Sequence, residues 1–114
     1  SQEISSAKWS FTLTASEIKG LCTINWEDSL NTIKNAKELI WVDTDKKGRK
    51  RARDFKPSLL GLTLQDSGKK ELHSDEHDSV KIQMHALIDE MGQSIKPSQM
   101  KYWVEKQLVR VQVR

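Results

Sequence analysis

The sequence predicts an α+β fold of winged-helix type: short helices, a small antiparallel sheet and a long basic β-hairpin as the wing. Three observations lead there. Apolar residues alternate in some stretches and recur at three- and four-residue steps in others, so strands and helices are mixed. The predicted order near the middle is helix, turn, helix, strand, basic loop, strand, which is the order of a helix-turn-helix followed by a wing. The loop in that series holds seven cations, Lys46, Lys47, Arg49, Lys50, Arg51, Arg53 and Lys56, with Asp54 as the one acid among them.

Residues 1–7 read as a lead-in. Trp9, Phe11 and Leu13 alternate with Ser10, Thr12 and Thr14, the period of a strand with one apolar face. Thr14 with Glu17 three residues on is a capping box, which predicts a short helix from Ala15 with Ile18, Leu21 and Cys22 inward. A turn at residues 23–25 follows. Trp26, Leu30, Ile33 and Ala36 then predict a second helix ending near Leu39, with Glu27 and Asp28 in its first turn and Asn31, Lys34, Asn35 and Glu38 outward.

Ile40, Trp41 and Val42 read as a strand, residues 43–56 as the hairpin tip, and residues 58–64 as the returning strand, with Leu60, Leu62 and Leu64 on one face. Gly61 marks a bulge or a close contact. Residues 65–70 read as a linker. Val80, Met84, Leu87, Ile88 and Met91 then predict the strongest helix of the chain, capped by Ser74 or Asp78 and ended by Gly92. Pro97 suits the first position of another helix, with Met100, Trp103, Val104 and Leu108 inward. Val109, Val111 and Val113 alternate with polar residues and predict a closing strand.

At 114 residues the chain suits a single small domain over residues 1–114, with sub-units at 8–65 (helix-turn-helix plus wing) and 71–114 (two helices and a terminal strand). A start at Ser1 and an end inside a strand-like pattern suggest a processed chain or a fragment of a larger protein, whose other domains are then partners. One cysteine permits no internal disulfide, which fits an intracellular site: cytoplasm or nucleoid, or a nucleus. No apolar run nears the roughly 18 residues of a membrane span, and no membrane partner is expected.

Charge carries the functional expectation. The chain has 19 Lys+Arg and 16 Asp+Glu, net +3; outside residues 46–56 it holds 12 basic and 15 acidic residues. The whole positive balance therefore sits in eleven residues, a local field that attracts phosphate-rich partners. The function expected is nucleic-acid binding, duplex DNA before RNA. Lys46, Lys47, Arg49, Lys50, Arg51, Arg53 and Lys56 would meet phosphates, and Asn31, Lys34 and Asn35 would face base edges at the groove. Single strands rank lower, because Phe55 alone sits as an aromatic amid the cations. The alternatives are a protein-interaction module, in which the loop is a nuclear-import-type tag or docks on an acidic partner, and RNA or ribosome association.

Catalysis is not expected. His73, His77, Asp75, Glu76, Asp78, His85 and Asp89 include i,i+4 pairs, but capping and solvation account for them better than a metal does. Glu38, Asp43 and Asp45 with Lys47 would suit a metal-dependent nuclease only under a geometry that spacing does not impose. No nucleophile elbow and no glycine-rich phosphate loop is present. No cofactor is expected.

Overall fold

The computed structural model describes residues 5–14, 16–66 and 79–112, in backbone only at Cys22, Asp66 and 109–112. The elements are β1 (Ser5–Thr14), α1 (Trp26–Lys34), β2 (Ile40–Thr44), β3 (Lys50–Asp54), β4 (Leu59–Asp66), β5 (Ser79–Ile88) and α2 (Pro97–Gln112), with short 3₁₀ turns at Leu21–Thr23 and Lys56–Ser58. This is an α+β molecule with two helices and two antiparallel sheets.

β5 lies between β1 and β4 and is antiparallel to both. β1 and β4 are therefore parallel, joined through α1 and separated by β5, a split βαβ arrangement. The pairing follows from alternation. Phe11 and Leu13 on β1 fall opposite Ile82 and Val80 on β5, and all four are buried. Both helices cover that face: Trp26, Leu30 and Ile33 of α1 and Met100, Trp103, Val104 and Leu108 of α2 join the same cluster. The other face carries Lys8, Ser10 and Thr12 opposite His85, Gln83 and Lys81, as expected of an antiparallel sheet with one solvated side. β2 and β3 form a separate two-stranded hairpin inserted between α1 and β4.

Several expectations are corrected. The segment expected to be the strongest helix is β5, the central strand. Val80, Ile82, Met84 and Ala86 are buried, and Lys81, Gln83 and His85 alternate with them. Residues 16–20 form turns, not a helix. Glu17 and Ile18 donate to the Thr14 carbonyl, and Thr14 Oγ1 donates to Glu17 at 3.0 Å, so one turn nucleates. Gly20, at φ 72°, then ends it. No helix-turn-helix is therefore formed among the described residues. α1 stops at Lys34 rather than Leu39, with Asn25 as its cap. Residues 109–112, expected as strand, extend α2. Ser5, Ser6 and Ala7 belong to β1 rather than to a lead-in. Gln65 and Asp66, expected to open a linker over 65–70, instead end β4. The expected acidic capping stretch with His73 and His77, the rest of that linker at 67–70 and the Cys22 side chain lie outside the described residues.

The hairpin is also differently paired. Residues 40–44 return on 50–54, inside the basic run, while β4 pairs with β5. β4 shifts register between Leu59 and Gly61. That bulge puts Leu60 outward, 48% exposed, whereas Leu62 is 1% exposed. Gly61 sits in that bulge, with space for a Cβ 3.6 Å from His85 Cβ.

Candidate nucleic-acid interface

Cross-strand partners share a face of a ribbon, so the register assigns the hairpin's two sides. Ile40, Val42 and Thr44 share one with Asp54, Ala52 and Lys50. Trp41 and Asp43 share the other with Arg53 and Arg51.

The tip is built by Asp45 and Gly48. Asp45 donates its N–H to the Arg49 carbonyl at 2.9 Å, and Gly48 N–H donates to the Asp45 carbonyl at 3.0 Å. Asp45 Oδ1 accepts from the backbone N–H groups of Lys47 (2.9 Å) and Arg49 (2.8 Å). Gly48 takes φ 80°, the left-handed conformation this turn requires. Arg49 Nε reaches Asp45 Oδ2 at 3.2 Å, yet its side chain stays 72% exposed. Lys46, Lys47, Arg49, Lys50 and Arg51 thus project from a turn held by its own hydrogen bonds.

The base is anchored to the body. Leu39 N–H and Lys56 N–H donate to Asp54 Oδ1 at 2.8 and 2.9 Å, and Phe55 N–H donates to the Leu39 carbonyl. The Lys56 and Leu39 amides hold the Asp54 carboxyl below its ordinary pKa. Trp103 Nε1 donates to the Ile40 carbonyl at 3.0 Å, and the Trp103 ring meets Trp41 and Phe55 with centroids 6.1 Å away in each case. Trp41 meets Tyr102 edge-on at 5.3 Å.

The expected contact residues therefore divide. Five cations gather at the tip and on β3. Arg53 is turned to the body: its guanidinium lies 4.6 Å from the centre of the Phe55 ring and reaches Gln93 at 3.3 Å and Asp89 at 3.5 Å. Lys56 is half-buried in the following turn. Phe55 is 6% exposed, so it offers no open ring. Asn31 and Lys34 line a crevice between α1 and Leu62, Thr63 and Leu64 of β4, and Asn35 closes the helix by donating to the Asn31 carbonyl.

The Arg53 contact leads to a second turn of the same design. Asp89 N–H donates to the Gln93 carbonyl, Gly92 N–H to the Asp89 carbonyl, and Asp89 Oδ1 accepts from the N–H groups of Met91 and Gln93. Gly92 takes φ 77°. The Gln93 amide is the largest influence and holds the Asp89 carboxyl below its ordinary pKa; burial opposes it, and the Met91 amide and Arg53 add smaller lowering effects. Asp-x-x-Gly at 45–48 and at 89–92 is thus a repeated signal, legible in sequence, for the turn at the hairpin tip and the turn after β5. Beside the second turn and the hairpin base lies a cleft of about 380 Å³ whose walls include Trp9, Asp43, Arg53, Phe55, Lys96 and Gln99. No sequence pattern marked Trp9 as part of it.

Among the described residues no group of three or more His, Cys, Asp or Glu side chains could hold a metal ion, and His85 instead contacts Ser6 Oγ at 3.0 Å on the open face of the sheet. Among the described residues no helix is long and apolar enough to cross a membrane. Compared with models of protein families, with curated proteins and with solved structures, the chain matches none.

Proposed function

We propose that this protein binds nucleic acid, with the β2–β3 hairpin laid along the sugar–phosphate backbone. The observation that carries the reading is the tip: Lys46, Lys47, Arg49, Lys50 and Arg51 exposed together on a turn preorganised by Asp45 and Gly48. Preorganisation matters because a turn whose backbone is already ordered loses less freedom on binding. What is kept of the winged-helix expectation is the wing. A two-stranded ribbon also fits the major groove of duplex DNA, which keeps duplex among the ligands. The groove-reading role expected of Asn31, Lys34 and Asn35 has weaker support, because two of them face β4. The role is one of binding, not catalysis, and an intracellular setting follows from such a ligand.

The test is a salt titration of binding to labelled duplex DNA. Replacing Lys47, Lys50 and Arg51 by Ala is expected to weaken binding and to flatten the log–log salt dependence by about 0.9 for each phosphate no longer neutralised. Unchanged affinity overturns the reading. A protein-interaction role is the second reading, favoured by Ile40 at 38%, Val42 at 54% and Tyr102 at 45% exposure. It predicts a complex whose affinity resists salt. Competition by RNA in the same assay separates RNA association from DNA binding.

A further inference from the structure

We infer that the cleft beside the hairpin base takes one unpaired nucleobase, so that the protein prefers single strands to duplex. The inference rests on the nucleic-acid reading above and deepens it.

Trp9 is the first observation. It lies on the core-facing side of β1, opposite Met84, in line with Phe11 and Leu13. Those two are buried at 7% and 0%, but Trp9 stays half-exposed because the cleft opens over it. Core packing alone does not call for a half-open indole there. An indole lining a cleft beside cations is what a base stacks on, with any of the four bases accepted.

The second observation is the charge. Asp43 lines the cleft, two residues from Trp41, whose Nε1 donates to Asp43 Oδ1 at 2.8 Å. A carboxylate repels phosphate and accepts from the exocyclic amino edge of a base. Arg51 lies directly across the ribbon from Asp43, and Arg53 and Lys96 stand with Asp43 in the walls. Exposed cations for a phosphate and one carboxylate acceptor for a base edge therefore lie within reach of a single nucleotide.

Third, the walls are held. Arg53 is fixed by Phe55, Gln93 and Asp89, and Lys96 N–H donates to Gln99 Oε1 at 2.9 Å. The volume, about 380 Å³, is at the small end of the range for small-molecule sites, about 300–1,000 Å³. That is room for a nucleobase.

The experiment uses the full chain and three fluorescein-labelled DNA probes of about 12 residues: a mixed-sequence single strand, the same strand with abasic sites throughout its centre, and the duplex. Affinities are read by anisotropy at about 50 and 200 mM salt. The intact strand is expected to bind about tenfold or more tighter than the abasic strand, the scale of one stacked base. Asp43→Ala and Trp9→Leu are expected to erase that ratio, and Trp9→Phe to keep most of it. Removing the Asp43 charge affects both strands alike, so the ratio isolates the base. Asp43 is exposed, so its variant carries the test if Trp9→Leu does not fold. Equal binding of intact and abasic strands overturns the cleft and leaves the hairpin reading standing. Indifference of all three probes to Lys47/Lys50/Arg51→Ala overturns the hairpin reading itself.

Discussion

Asp45 and Asp89 perform the same work in separate turns, each accepting two backbone N–H groups through one carboxylate oxygen while a glycine three residues on takes positive φ. A Cβ added at Gly48 or Gly92 meets nothing within 4 Å, so the cost of Ala there is purely backbone strain. Gly48→Ala and Gly92→Ala are each expected to lower unfolding free energy by about 1–2 kcal/mol in urea titration. Gly61→Ala, whose Cβ would meet His85 at an ordinary 3.6 Å, should change it by less than about 0.5 kcal/mol. Acid titration probes two carboxylates, Asp54 and Asp89. Asp54 and Asp89 are both held below their ordinary pKa by backbone amides. Their stabilisation is then fully present above the unfolded value, about 3.9, and is lost as pH falls through the lower folded values. Wild-type stability should fall below about pH 4, and Asp54→Asn, uncharged at every pH, should show a shallower acid limb. An unaltered limb in the Asp54→Asn/Asp89→Asn double variant would show that neither carboxylate sets the acid limit.

Among the elements, the hairpin depends on one side chain of α2. Trp103 is 6% exposed, donates to the Ile40 carbonyl, and packs against Trp41 and Phe55. Trp103→Ala is expected to cost about 3–5 kcal/mol. Trp103→Phe keeps an aromatic ring and strands the Ile40 carbonyl, costing about 1–3 kcal/mol. Amide exchange should show β2 deprotected in both variants before β5. β5 also teaches how a strand is misread. Val80, Met84 and Ile88 satisfy a helical spacing, but Val80, Ile82, Met84, Ala86 and Ile88 satisfy alternation, with Ser79, Lys81, Gln83 and His85 between them. Alternation prevails because β1 and β4 supply ladders on both sides, non-local partners that periodicity within one segment does not display. α2 errs the other way. The Val109, Val111, Val113 alternation looks like strand, yet extending a helix already begun at Pro97 outweighs a β-branched penalty of about half a kcal/mol per residue.

The whole molecule has a radius of gyration of 15.7 Å, above the roughly 13 Å of a compact chain of this length, and extents of 52 × 32 × 25 Å. Its charge is as uneven as its shape. Lys47, Lys50 and Arg51 are exposed, so replacing all three with Ala takes the net charge from +3 to zero. Unfolding free energy should stay within about 0.5 kcal/mol per site, checked by urea titration, while nucleic-acid affinity falls. A loss of stability larger than that would mean that the cations also hold the fold.

The sequence by itself determined the α+β class, β1, the apolar stripes of α1 and α2, the strand at Ile40–Val42 and the basic tip. These are local matters: a period, a proline at position 97 and a charge run are complete within a dozen residues. Tertiary structure alone decided that residues 79–88 are the central strand, that the hairpin closes within its own basic run, and that Arg53 turns inward to Phe55 and Asp89. It also decided that Trp9, on a core face, stands open to a cleft. Each of these depends on partners far away in the chain, and the free energy that selects them arises only when those partners meet.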